Sequence, residues 1–432
     1  MKLKQLKKII AASQSTGILD VSNMKLDYLP PLPENLTKLV CNDNFIKHLP
    51  SLPESLTILI CNENKLEELP SLPKNLTLLE CNYNKLENLP SLPNSLTNID
   101  CSENKLNNLP ELPTNLIKLY CSDNQIIELP LLPETLVTLD CRNNKLSILP
   151  KLPETLDTLD CHGNKLSILP KLPEILNFLF CGDNKLSILP KLPETLMGLY
   201  CRNNKLPILP LLPKNLRQLS CDSNQITKLT LLPKTLEELC CDDNKLSILP
   251  KLPETLKILR CRDNKLSILP LLPKTLEILN CENNKLPILP LLPKTLEILN
   301  CENNKLLILP LLPETLQYLN CKNNKLSILP LLPKTLTNIE FKNNPYTKAF
   351  KSRVYLNPYS VTNCIFNIKN YYETNENIRN LLAVQQILGK GNNTVLNDDC
   401  LSVIGSYFSG EQSSLNIMIN NIKKNMSMLL LE

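Results

Sequence analysis

Eighteen cysteines and two histidines are the residues of this 432-residue chain whose types could do chemistry. Fifteen of the cysteines recur at every twentieth position from Cys41 to Cys321, and only Cys240, Cys364 and Cys400 fall outside the series. Thiols in such numbers could form disulfides, hold metal or sense redox state. The sequence argues against each. Residues 1–13 alternate lysine with apolar residues and contain no signal-peptide core, so the cysteines read as reduced thiols of a cytoplasmic protein. Zinc is commonly gripped by C-x-x-C pairs converging on a tetrahedron, and no such pair occurs. A redox sensor needs an exposed thiol, whereas the members of the series follow Leu-x (Ile-x at Cys101) and should lie among leucines. His48 and His162 are far apart, with no nucleophile in suitable register. No metal, no cofactor and no catalysis are expected.

The elements that place these residues follow from the repeat. Its unit reads Leu-x-x-Leu-x-Cys-x-x-Asn-x-Leu-x-x-Leu-Pro-x-Leu-Pro-x-x, as from Leu136 to Glu154. Val21 and Phe341 hold the cysteine place at the two ends. Leu-x-Cys alternation predicts a short strand with Leu139 and Cys141 inward and Asp140 and Arg142 outward. Asn144 ends the strand, and its amide is expected to bond backbone groups of its own turn and the next. Leu149-Pro150 and Leu152-Pro153 bring the chain back in extended, polyproline-like form, because proline fixes φ and biases its predecessor away from helix. A twenty-residue period leaves no room for a helix. Stacked turns make a quasi-one-dimensional solenoid, and 36 prolines against 8 glycines fit that architecture.

This pattern resembles the leucine-rich repeat. Its LPxLPxxLxxLxCxxNxL form is similar to the short repeats of secreted bacterial effectors of the Yersinia outer protein and Shigella invasion-plasmid types. The resemblance covers residues 16–345 and departs at the cysteine, where those effectors more often carry valine or another small apolar residue. The Asn, Lys and Ile bias also resembles leucine-rich repeat proteins of giant, mimivirus-like DNA viruses. The fold expected is a leucine-rich repeat solenoid, mainly β, with a parallel sheet and an extended return side. It comprises an N-terminal helical cap at 1–15, about 16 repeats at 16–345 and a helical C-terminal module at 346–432. For a viral or effector protein, the site of action is the host cytoplasm.

With the inward positions occupied by core, function falls to the outward residues of the strands, on the face expected to be concave. Around Ile58, Ile60, Leu78, Tyr83 and Tyr120 they are apolar and then tyrosine-bearing; from Ile278 to Tyr318 they are nearly monotonous. The middle is the individual part. Gly163, Gly182 and Gly198 lie there beside Phe178, Phe180 and Tyr200, so exposed aromatics and a depression are expected to bind a protein partner. His162, Asp140, Asp160, Arg142 and Arg202 are the expected polar rim. Cys240 points outward between Glu238 and Asp242. Residues 21–340 carry 34 basic and 35 acidic residues without a basic stripe, which argues against nucleic acid. No segment reaches the length of a membrane span, so no membrane partner is expected.

The ends differ from the repeats. Leu3, Leu6, Ile9 and Ile10 have helical spacing, with Gly17 as the stop. Ten of the chain's eighteen aromatics lie in residues 341–432, where Ser360–Tyr372 and Asn375–Leu388 read as helices, a third helix begins near Asn397 and a fourth runs from Ser413 to Leu430. Ubiquitin-ligase tails of the effectors use a Cys-x-Asp nucleophile, and Cys364-Ile-Phe and Cys400-Leu-Ser both lack the aspartate. Leu396 to Phe408 instead resembles the opening helix of an F-box, with Asn397 in place of its proline and Gly405 in place of its phenylalanine. That resemblance implies adaptor binding by Leu401, Ile404 and Phe408; the bland alternative is that the same face packs into a cap. The primary expectation is therefore a non-enzymatic protein-interaction scaffold. The alternative is a substrate receptor of a cullin-type ubiquitin ligase that recruits a Skp1-type adaptor.

Overall fold

A twenty-residue period with one Leu-x-Cys triplet per turn produces one short strand per turn. The computed structural model describes residues 2–345 except residue 328; the C-terminal module, with Leu401, Ile404, Phe408, Cys364 and Cys400, lies outside the described residues. Helix α1 spans Lys2–Thr16 and ends where Gly17 takes φ +69° and donates its N–H to Ser13 O at 2.8 Å. A left-handed residue just past a helix is the usual stop, and glycine takes it without Cβ strain. Leu6 and Ser13 of α1 are buried.

The chain forms two compact units, Met1–Ile226 and Thr227–Glu432. In the first, α1 is followed by β1 (Ile18–Asp20), β2 (Lys38–Val40), β3 (Ile58–Ile60), β4 (Leu78–Glu80), β5 (Asn98–Asp100), β6 (Lys118–Tyr120), β7 (Thr138–Asp140), β8 (Thr158–Asp160), β9 (Phe178–Phe180), β10 (Gly198–Tyr200) and β11 (Gln218–Ser220). The second holds β12 (Glu238–Cys240), β13 (Ile258–Arg260), β14 (Ile278–Asn280), β15 (Ile298–Asn300), β16 (Tyr318–Asn320) and β17 (Asn338–Glu340). Within each unit neighbouring strands pair in parallel with every residue opposite its equivalent twenty positions on, as Leu139 is opposite Leu159 and Leu259 opposite Leu279. The return segments of the described residues contain neither helix nor strand.

Each strand buries its middle residue and the cysteine that follows it. Leu136, Leu139, Cys141, Leu146 and Leu149 are buried together, and their equivalents repeat the pattern turn after turn. None of the sixteen described cysteines is in a disulfide, and all but Cys240 are buried. Burial raises ladder thiols such as Cys61, Cys141 and Cys261 well above the ordinary range, with Cys41, Cys201 and Cys281 pushed up to about 12. Several donate their S–H to a backbone carbonyl of the following turn, as Cys141 Sγ does to Asp160 O at 3.4 Å. They are neutral packing groups.

The asparagine ladder follows the expected chemistry, with one correction. Asn144 Nδ2 donates to Cys141 O (3.1 Å) and Arg142 O (3.1 Å) of its own turn and to Cys121 O at 2.9 Å, while its Oδ1 accepts from Ile126 N at 2.9 Å. The second turn is thus the preceding one, not the next. The amide lies at the strand's exit, where the preceding turn's unpaired carbonyl and N–H are within reach. A hydroxyl ladder does the same on the opposite side: Thr155 Oγ1 donates toward Glu134 O and Leu136 O, both at 2.8 Å.

Two expectations follow for measurement. Asn164→Ala orphans the buried Leu146 N–H, now held by Asn164 Oδ1 at 3.0 Å, and should cost about 1–3 kcal/mol. Hydrogen exchange at Leu146 should accelerate accordingly, while Lys165→Ala should change stability by less than about 0.5 kcal/mol. Maleimide labelling of the native chain, read by mass spectrometry, should modify Cys240 and spare the fifteen ladder thiols until denaturant is added.

Candidate functional site

The sheet's outward residues are set by strand alternation, and in the middle of the first unit they form one continuous surface. Asp140 of β7, Asp160 of β8, Phe178 and Phe180 of β9 and Tyr200 of β10 occupy four consecutive paired strands. Arg142, His162 and Arg202 stand two positions past those strands. All eight residues singled out by sequence therefore lie together, half-buried apart from the exposed Arg202.

The aromatic rings stack across strands. Phe180 and Tyr200 have ring centroids 4.5 Å apart and planes within 7°; Phe178 lies 6.5 Å from Phe180 at 16°. Tyr200 donates its hydroxyl proton to Gln218 Oε1. Gly198 does not open the expected depression. A Cβ there would meet Phe178 Cδ1 at 2.8 Å and Tyr200 Cε2 at 3.0 Å, so the rings close over the glycine and fill its space. Gly182 similarly admits the stem of Arg202, whose Cγ would stand 2.9 Å from an added Cβ. The surface is a laid-down aromatic platform with a polar border.

That border is an ion-pair cluster. Arg142 reaches Asp140 at 3.4 Å and Asp123 and Asp160 at 3.9 Å each. Arg202 Nε donates to Asp183 Oδ2 at 3.2 Å. His162 Nδ1 is 2.8 Å from Asp160 Oδ1. Burial pushes the Asp140 carboxyl up to about 6, against the lowering effect of the Arg142 backbone N–H that it accepts and with neighbouring Asp160 adding to the rise. The Arg142 guanidinium lowers it too little to compensate, being shared among three carboxylates and partly exposed. The hydrogen bond to Asp160 raises His162 above its ordinary value, outweighing burial.

Two features escaped the sequence reading. The second residue after the cysteine adopts a left-handed backbone in turn after turn, as at Asp43 (φ 52°), Glu63 (54°), Tyr83 (52°) and Asn143 (51°). Its N–H then reaches the following turn, Asn143 N donating to His162 O at 2.9 Å. The abundance of Asp and Asn at this position was the available signal. Gly163 belongs to that series at φ +65°, and a Cβ on it would fall 2.1 Å from Asn143 Oδ1. It makes room for Asn143, which donates to Asp123 Oδ1 at 2.8 Å. The second feature is an exposed isoleucine on each of several return segments, as at Ile148, Ile168, Ile188 and Ile208. Among the described residues no group of three or more His, Cys, Asp or Glu is arranged to hold a metal ion, and no helix is long and apolar enough to cross a membrane.

In-register parallel strands, a buried asparagine ladder and extended return segments define a leucine-rich repeat solenoid of the short, twenty-residue type. No protein-family model matches the chain, and no curated protein matches its sequence. Solved structures do. YopM from Yersinia enterocolitica is 38% identical with TM-score 0.77, over 79% of this chain and 77% of that one. YopM from Yersinia pestis, a leucine-rich effector protein, is 33% identical with TM-score 0.64, over 79% and 93%. The functional domain of InlJ from Listeria monocytogenes, which includes a cysteine ladder, is 26% identical with TM-score 0.56, over 73% and 69%. The chain belongs to the YopM-type family of leucine-rich repeat proteins.

The pKa directions fix a pH dependence. Asp140 binds its proton more tightly folded, near 6, than at its ordinary 3.8. Its contribution to stability is therefore full below about pH 4 and lost as pH rises through about 6. His162, also raised, contributes below its ordinary 6.5 and loses that contribution as pH rises through its folded value. Asp140→Asn should flatten the pH profile of the denaturation midpoint between about pH 4 and 6, and His162→Gln should flatten it from about 6.5 upward.

Proposed function

We propose that the chain is a non-enzymatic scaffold that binds a protein partner on the outward face of β7–β10. The observation that carries this reading is the stack of Phe178, Phe180 and Tyr200, large rings left half-exposed on an ordered sheet. Rigid aromatics contribute much contact area at small entropic cost, and binding hot spots are enriched in them. The ion-pair cluster of Asp140, Asp160, Arg142, His162 and Arg202 supplies the rim that excludes water and sets register.

The sign of the partner follows from the surrounding charges. In the first unit the outward strand positions and the two positions after each cysteine carry eleven acidic and four basic residues. A partner offering lysine or arginine is favoured there, with a cation over the ring faces and its charge against Asp140 and Asp160. Membership among effector-type repeats supports the scaffold reading, and reduced thiols in the ladder support a cytoplasmic site of action.

The test is direct. Phe178→Ser, Phe180→Ser and Tyr200→Ser combined should leave the ladders intact yet weaken capture of specific partners from host lysate at least about a hundredfold, by about 2–3 kcal/mol or more. Asp140→Asn with Asp160→Asn should weaken it less and reduce its salt dependence. Unchanged capture by the aromatic variant removes this assignment.

A further inference from the structure

The return side of the first unit carries an apolar ridge that its fold does not require. Ile148, Ile168, Ile188 and Ile208 stand one above another on successive turns and are 61, 58, 64 and 62% exposed. Consecutive turns are held together just before them, by Lys165 N donating to Leu146 O, Lys185 N to Leu166 O and Lys205 N to Leu186 O, each at 2.8 Å. The isoleucines therefore form a continuous column. Earlier turns place Glu68, Asn88, Asn108 and Glu128 at the same position, followed by buried Leu69, Leu109 and Leu129 and by half-buried Leu89. The scaffold tolerates polar residues there, so core packing does not explain the isoleucines. Exposed apolar surface of this continuity marks a contact site.

Lysines border the column on both sides in chain order. Lys145, Lys165, Lys185 and Lys205 precede it, Lys151, Lys171 and Lys191 follow it, and all are exposed. Lys151 and Lys171 lie 3.2 and 3.9 Å from Glu134 and Glu154; pairs so exposed hold little energy and exchange readily. Lys165, Lys185 and Lys205 make no ion pair with the described residues. An aliphatic strip between two rows of long-stemmed cations is the chemistry of a surface that contacts anionic lipid, with side chains entering the interface and ammonium groups remaining at headgroup level.

We propose that this ridge docks the first unit on an anionic membrane surface. Two other occupants fit less well. A second copy meeting ridge to ridge about a two-fold axis would bring lysine columns against lysine columns, since a two-fold contact presents the same patch from both sides. A protein partner is recognised by individual features, whereas residues 145–151, 165–171 and 185–191 are the identical string Lys-Leu-Ser-Ile-Leu-Pro-Lys. A bilayer is laterally uniform, and a translationally repeated strip matches it. No spanning segment is needed for such a contact.

Co-sedimentation of the full chain with vesicles tests this. Phosphatidylcholine vesicles containing phosphatidylserine should bind the protein, phosphatidylcholine alone should bind it at least about tenfold more weakly, and physiological salt should lower but not abolish binding. Two variants use residues the chain already carries at equivalent positions. The first changes Ile148, Ile168, Ile188 and Ile208 together to Asn, as at Asn88; the second changes Lys145, Lys165, Lys185 and Lys205 together to Gln, as at Gln125. Each should retain the parent's melting temperature and lose at least about tenfold in vesicle affinity. Absence of binding to anionic vesicles overturns the proposal. Binding that survives both variants overturns it too, because the contact then lies elsewhere, for example on the lysine-bearing α1. Capture of an acidic protein by the ridge without vesicle binding assigns it to a protein partner instead.

Discussion

The asparagine amide that bridges each turn to the one before it is the interaction on which the rest of the structure depends. A twenty-residue turn with a three-residue strand forms few ladder bonds, and its strand exit leaves backbone groups that water cannot reach. One side chain with two N–H donors and a carbonyl answers three of them at once, as Asn164 does for Cys141 O, Cys161 O and the N–H of Leu146. A buried polar group left unmatched would cost as much as a hydrophobic contact contributes. The amide therefore fixes the register between turns, and the leucine and cysteine columns fall into line behind it. Thiol chemistry is a casualty of that order: each of the fifteen ladder cysteines is buried, away from solvent and from any partner that could react with it.

Where the frame departs from its own rule, the cost is visible. Thr230 occupies the place that proline holds in the neighbouring turns, and its Oγ1 is buried without a hydrogen-bond partner. Proline has no group to satisfy there, so the usual residue avoids the penalty that threonine incurs, about 1–3 kcal/mol for a hydroxyl. A solenoid tolerates this because stability is shared mainly between nearest neighbours, and one weak turn is supported by those that flank it.

The periodicity made the fold legible in the sequence to an unusual extent. Leu-x-Cys gives the strand, Asn its end and Pro the return, each from a side-chain property and a spacing. The site was legible in part. Alternation placed Phe178, Phe180, Tyr200, Asp140 and Asp160 on one face, but composition could not say that Gly198 lies beneath two rings and leaves no hollow. That depends on rotamers chosen across two neighbouring strands, which no single repeat encodes. The left-handed position after the cysteine was obscured for another reason. Glu63, Glu103 and Tyr83 occupy it against their own preference, because the backbone bond to the following turn outweighs the local strain.

Net charge was the least informative quantity. A balance of +5 over the chain, and near neutrality over the repeats, suggested no electrostatic character. The balance is an average over columns that differ. In the first unit acidic residues dominate the outward sheet positions, while lysines occupy the exposed positions that begin the return segments and, on several turns, those that follow the isoleucine. Repeat proteins separate charge in this way because each position in the period becomes a line along the array, so one residue preference is multiplied by the number of turns. The same multiplication converts a single exposed isoleucine, unremarkable in a globular protein, into a ridge. Individual residues then matter most where the lines are interrupted, and the interruption at Phe178, Phe180, Gly198 and Tyr200 is the one that replaces a polar or aliphatic column with stacked rings.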